Sequence, residues 1–210
     1  MKELDRIFKM DRVVEAVAAL MVFIFLSHCS GNSVYLVPKE GQEGDKKAGE
    51  SIDVKIRPIF TSDYGSDDRE KYPLDFSSYF TAIEIQFHNG TDREVQWNSN
   101  QTILKFGEKT EYKVLSEDDA FHYYRYGDME GKEVVLLGKS YEQQKEDGET
   151  INRFLMKPVI IPAGGDRSGL LLFKKIPLND CEDVRLIVAG IKVHLEEKVL
   201  TFSLECPKED

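Results

Sequence analysis

The chain has no apolar run long enough to cross a bilayer. A spanning helix needs about 20 apolar residues in a row, and the longest run here is 11, Ala16 to Leu26. Basic charge is also short. The 28 Lys and Arg stand against 38 Asp and Glu, a formal net charge of −10. Nucleic acid and anionic lipid surfaces repel such a chain, and no basic run offsets the balance, so nucleic acid is not expected as a partner. Histidine is scarce: beyond Cys29 there are only His88, His122 and His194, with no i,i+4 pair and no Cys nearby. That spacing nominates no metal site. HExxH, GxSxG and SxxK are all missing, so no catalytic residue is named, no enzyme is expected, and no cofactor is implied.

What is present begins with the apolar run itself. Eleven residues suit the middle of a secretory signal peptide. The flank before it is weakly basic, with Lys2, Arg6, Lys9 and Arg12 against Glu3, Asp5 and Asp11, and Glu15 touches the edge of the run. The run ends in Leu26-Ser27-His28-Cys29. Those four residues resemble the lipobox of bacterial lipoproteins. Leu26 and Ser27 fit that pattern, while His28 stands where Gly, Ala or Ser is usual. The resemblance implies cleavage before Cys29 and lipid on its sulfur and new α-amine. It also implies, through Ser30 in place of Asp, the outer membrane, facing the periplasm or the cell surface. An ordinary signal peptide with a chance Cys, or an uncleaved anchor, is the alternative. Two or more acyl chains hold a protein on a membrane effectively permanently, at ~0.8 kcal/mol per buried CH₂.

Removing residues 1–28 from the 210 leaves 182, enough for one domain with a real core. Residues 1–28 hold four basic and four acidic groups, so the remainder keeps the whole charge of −10. Of the three Cys, Cys29 is the expected lipid site, which leaves Cys181 and Cys206. Outside the cytoplasm such a pair reads as a disulfide. It would close a loop of about 25 residues, for ~3 kcal/mol in the chain-entropy model. Two free buried thiols are the alternative.

Residues 29–51 are mostly polar around the short island Ser33–Pro38 and read as the lipidated Cys and a flexible tether. The island is a candidate first strand. Residues 52–206 read as a β domain, and 207–210 as a tail. Ile52–Arg57 alternates apolar and charged residues, a half-buried strand. Residues 61–78 read as a long loop, in which Asp63, Asp67 and Asp68 miss the EF-hand spacing for Ca²⁺. Phe80–His88 puts Ile83, Ile85 and Phe87 on one face and Glu84, Gln86 and His88 on the other, and ends at Asn89-Gly90, where a turn with φ > 0 is expected. Glu94–Asn98, Gln101–Phe106 and Tyr112–Leu115 are short strands. Ser116 with Glu117, Asp118 and Asp119 starts a helix that stops at Gly127. Residues 127–152 look charged and irregular. A helix is conceivable over Ser140–Lys145, and Gly148 weakens anything longer. Pro158–Pro162, the turn Ala163–Asp166, Gly169–Phe173 and the hairpin Val184–Val193 with Val199–Glu205 complete the domain. Seven or so short strands predict a mainly β, antiparallel sandwich with one or two short helices.

Within that pattern, Ile83–Asp92, then Tyr112–Tyr126, then Pro162-Ala163-Gly164 ahead of Gly169–Phe173, are similar to immunoglobulin-like bacterial lipoproteins of unknown function. The likeness covers Ile52 to Glu205 and implies an immunoglobulin-like sandwich and an envelope location. Where those proteins carry a Gly/Ala-rich segment, residues 127–152 are charged.

The candidate contact residues are aromatic. Phe121 and Tyr124 share a helix face and are expected in the core. Tyr123 and Tyr126 lie on another face beside Arg125, a combination common at recognition surfaces. Trp97, the only Trp, is a further candidate contact or a core anchor. The expected function is a non-enzymatic, lipid-anchored envelope protein that binds or braces another envelope component. The alternative is an enzyme or glycan-binding module with its site in the acidic loops 61–78 and 127–152. A plain spacer is the third option.

Overall fold

The computed structural model describes residues 36–38, 45–47, 52–59, 72–127, 139–176 and 183–206. Its strands form two antiparallel sheets. In the smaller, β2 (Asp45–Lys47), β3 (Ile52–Pro58), β4 (Thr81–Asn89) and β9 (Asp166–Phe173) lie in that order. The larger runs β1 (Val37–Pro38), β11 (Glu196–Glu205), β10 (Val184–Val193), β5 (Val95–Trp97), β8 (Val159–Ile161). In it β6 (Ile103–Phe106) joins β10 to β7 (Thr110–Lys113). Among the described residues three helices accompany them: α1 (Phe76–Tyr79), α2 (Glu117–Tyr126) and α3 (Tyr141–Phe154).

The expected alternation holds and produces the sandwich. Ile52, Val54 and Ile56 of β3 and Ile83, Ile85 and Phe87 of β4 face Trp97, Leu104, Val184, Leu186, Val188 and Phe202 of the larger sheet in one continuous core. A second core lies on the other side of the smaller sheet. There Ala82, Leu170 and Leu172 meet Phe76, Ala120, Tyr124, Ile151 and Leu155 from the helical segments. The run Leu170–Phe173 is therefore buried on both faces, with Leu171 and Phe173 in the first core and Leu170 and Leu172 in the second. Residues without polar alternation are what a strand sandwiched between two layers requires.

β10 organises the larger sheet. One edge pairs β11; the other pairs β6 through Val184–Ile187 and β5 through Ile191–Val193. Between those two stretches the register shifts, and Gly190 takes φ +76. A Cβ there would stand 2.6 Å from the Asn98 carbonyl oxygen, and the Asn98 N–H donates to the Gly190 carbonyl at 3.0 Å. Only glycine meets both conditions cheaply.

Three expectations need correction. The segment 29–51 is not tether throughout: Leu36 is buried in the main core, Val37–Pro38 pairs β11 and Asp45–Lys47 pairs β3. The turn after β4 does not use φ > 0 at Gly90; the positive-φ glycines among the described residues are Gly107, Gly127, Gly164 and Gly190. The buried Asn89 side chain holds that turn instead. Finally, residues 141–152 are not irregular: α3 runs through Gly148 to Phe154.

Gly148 survives in that helix because of its neighbour. A Cβ at this position would lie 2.5 Å from the Phe121 ring, so α2 packs an aromatic edge directly on the α3 backbone. Ala is better than Gly in a free helix by about 1 kcal/mol. Gly148→Ala is thus expected to destabilise the wild-type protein and to stabilise a Phe121→Ala protein by about 1 kcal/mol. Urea unfolding of the four-member cycle measures that change of sign.

Cys206 is disulfide-bonded and packs against the main core. Its expected partner, Cys181, lies outside the described residues, as do Cys29, Asp63, Asp67 and Asp68.

Candidate functional site

The helical layer carries most of the residues nominated from the sequence. α2 forms where expected. The Ser116 hydroxyl accepts the Asp119 N–H at 3.2 Å, Glu117, Asp118 and Asp119 occupy the positive end of the helix dipole, and Gly127 closes the helix at φ 65. α3 opens with a capping box, in which Ser140 accepts from Gln143 N–H at 3.2 Å and the Gln143 side chain accepts from Ser140 N–H at 2.9 Å. The two helices run antiparallel. Lys157, just past α3, bonds Glu117 at the start of α2 at 2.7 Å, and Lys139, just before α3, reaches Tyr124 near the end of α2 at 3.1 Å.

Between them lies a packed polar cluster. The Tyr124 hydroxyl donates to Asp147, and the Lys139 ammonium donates to both, to Asp147 at 2.6 Å. Lys139 also sits over the rings of Tyr79 and Tyr124, 5.1 and 5.5 Å from their centroids. Burial, then the Asp147 carboxylate, push the Tyr124 hydroxyl well above its ordinary pKa. Burial draws Lys139 down, but its bonds to Asp147 and Tyr124 outweigh that and hold the ammonium above the usual lysine range. Both groups are held protonated at neutral pH. The cluster clamps α2 to α3.

The nominated aromatics separate in the structure. Tyr124 is core, as expected; Phe121 is half-buried over Gly148. Tyr123 is half-buried too. Its hydroxyl accepts the Lys175 N–H at 2.9 Å and its ring packs 5.9 Å from Phe80, so it anchors the 174–176 segment rather than presenting an open face. Tyr126 is exposed, with the His122 ring 4.8 Å away and the Arg125 guanidinium 5.3 Å from its ring centre. Trp97, nominated as a contact, is 1% exposed. It stacks on Phe87 at 5.6 Å and donates its N–H to the Ala189 carbonyl at 3.1 Å. It is a core anchor.

One surface was missed from the sequence. A groove of about 330 Å³ runs between the helices, lined by Asp118, Phe121 and Arg125 of α2 and Tyr141, Gly148 and Glu149 of α3. Tyr141 is 68% exposed. The signal for it was present: Tyr141, Gln144, Lys145, Gly148 and Asn152 recur at helical spacing, once Gly148 is accepted inside a helix.

Polar pairs lie along the strands of the smaller sheet. Arg57 donates to Glu84 Oε2 through Nε and Nη2, at 3.1 and 2.9 Å, and His88 Nδ1 lies 2.8 Å from Asp166 Oδ1 across the strands. The His88–Asp166 pair is well exposed, a class of ion pair that contributes little. Among the described residues no three His, Cys, Asp or Glu converge as a metal-holding group. No described helix is long and apolar enough to cross a membrane. Of the acidic loops proposed for an enzyme or glycan site, residues 61–71 and 128–138 lie outside the described residues. Tyr72, Leu74 and Phe76 are buried core, and 141–152 belong to α3.

No family model matches the chain, and no curated protein matches it. A solved structure of a functionally unknown protein from Listeria monocytogenes EGD-e is similar to it, with 14% sequence identity over 84% of this chain and 87% of that one and a TM-score of 0.40.

Proposed function

We propose that this chain is a non-enzymatic, lipid-anchored protein of the bacterial cell envelope that holds another envelope component. The observation that carries the proposal is Leu26-Ser27-His28-Cys29 at the end of an 11-residue apolar run. This motif supports a lipid on Cys29, and Ser30 after it supports the outer membrane as the anchoring site of the domain that follows. The described domain supports the binding half. Its titratable cluster at Tyr124, Asp147 and Lys139 serves packing, whereas its helical layer presents aromatic and charged side chains outward at Tyr126, Arg125 and Tyr141.

Metabolic labelling with palmitate tests the anchor. Label is expected in the wild-type chain and absent from Cys29→Ala. Equal labelling of both would remove the lipid from Cys29. Affinity capture from detergent-solubilised membranes tests the holding role: a discrete co-purifying envelope protein is expected with the wild type, and its absence would leave only a spacer.

A further inference from the structure

We infer that the groove between α2 and α3 receives a peptide segment of a partner protein, one that presents an aromatic or aliphatic side chain next to a lysine or arginine. This deepens the binding role proposed above and rests on it for the existence of a partner, not for the chemistry of the groove.

The groove has two unlike parts. Its middle is apolar. Phe121 lies edge-on against the backbone of α3 because position 148 has no side chain, and the Arg125 guanidinium stands 5.5 Å from the centre of the same ring. Tyr141, 68% exposed at the start of α3, extends that surface outward. Exposed aromatics beside an arginine are the composition of interface hot spots. An apolar side chain gains from covering them.

One end of the groove is acidic. Glu117 is already engaged by Lys157 at 2.7 Å. Asp118 makes no ion pair or hydrogen bond among the described residues. Glu149 has only Lys145 of its own helix, at 3.9 Å with both groups about two-thirds exposed (69% and 65%). Asp118 and Glu149 therefore offer two carboxylates, one on each helix, to an incoming cation. The net charge of −10 on the chain acts in the same sense at longer range, drawing a basic partner towards the surface. An acidic segment is repelled at that end, and a neutral glycan uses neither carboxylate's charge.

The test uses two labelled hexapeptides, one with a phenylalanine between two lysines and one with a phenylalanine between two glutamates. Fluorescence anisotropy is read on the full chain in a neutral sugar-headgroup detergent, with empty micelles as the blank. The lysine peptide is expected to bind the wild type at least tenfold more tightly than the glutamate peptide. Asp118→Lys with Glu149→Lys, both surface changes, is expected to reverse that preference while circular dichroism still shows the folded protein, with the melting temperature lowered by only a few degrees for a lysine at the positive end of α2. Tyr141→Ala is expected to weaken both peptides several-fold. Equal binding of the two peptides by the wild type, or no binding at millimolar concentration, would overturn the proposal. So would a lysine preference that persists in the double variant, since net charge and not this groove would then be responsible. Loss of palmitate labelling would strike the anchor and leave these outcomes untouched, so the two readings fail separately.

Discussion

Trp97→Ala is expected to lower the free energy of unfolding by about 3–5 kcal/mol, the range for truncating a large buried aromatic. Three contributions disappear together. The indole is 1% exposed in the middle of the main core, so its removal leaves a cavity between the sheets. Its stack on Phe87, at 5.6 Å between centroids, is lost. The Ala189 carbonyl, which accepts the indole N–H at 3.1 Å, is left without that donor beside the irregularity at Gly190. Trp97→Phe keeps a stacked ring and loses the hydrogen bond, and is expected to cost about 1–3 kcal/mol. Urea unfolding followed by far-ultraviolet circular dichroism measures both. A Trp97→Ala protein with wild-type stability would return Trp97 to the surface and to the role of a partner contact.

Asn89→Ala is expected to cost about 3 kcal/mol, because it orphans buried backbone groups and does not merely remove a side chain. Asn89 is 0% exposed. Its Nδ2 donates to the carbonyls of Arg93 at 2.8 Å, Ile161 at 3.0 Å and Pro162 at 2.8 Å. Its Oδ1 accepts from the Thr91 N–H at 3.0 Å and the Thr91 hydroxyl at 2.7 Å. One amide thus ties the end of β4 to the turn between β8 and β9. The backbone repeats the link, with Asn89 N–H donating to Gly165 and Gly164 N–H donating to Asn89. Asn89→Asp has nearly the same shape but points a carboxylate at three carbonyl oxygens. It is expected to be at least as unstable as Asn89→Ala at neutral pH. If Asn89→Asp instead unfolds like the wild type in urea, the two N–H donors that these three carbonyls share contribute nothing.

Burial of Asn89 also bears on its sequence pattern. Asn89-Gly90 reads as a φ > 0 turn, and the folded chain does not use it as one. The side chain faces inward, and Gly90 is not among the positive-φ glycines. Asparagine in a turn signals local hydrogen bonding to sequence and chemistry alike. Which carbonyls it satisfies depends on Ile161 and Pro162, more than seventy residues away, and no local pattern reports that separation.

The features determined by the sequence alone are those with short-range causes. Alternation with period two decides that Ile83, Ile85 and Phe87 face inward while Gln86 and His88 face out. A hydroxyl at Ser116 followed by three acids decides where α2 begins, and Gly127 decides where it ends. The apolar run ending at Cys29 is equally local, and it alone carries the proposed address. The tertiary structure decided whatever depends on a distant neighbour. Gly148 looks like a helix breaker until Phe121 is seen to occupy the space of its missing side chain. Tyr123 and Trp97 look like contact residues until Lys175 and Phe87 claim them. The groove of Phe121, Tyr141, Asp118 and Glu149 exists only because two helices lie antiparallel. Periodicity and capping act within one turn or one strand; burial and pairing are settled by what the rest of the chain brings alongside.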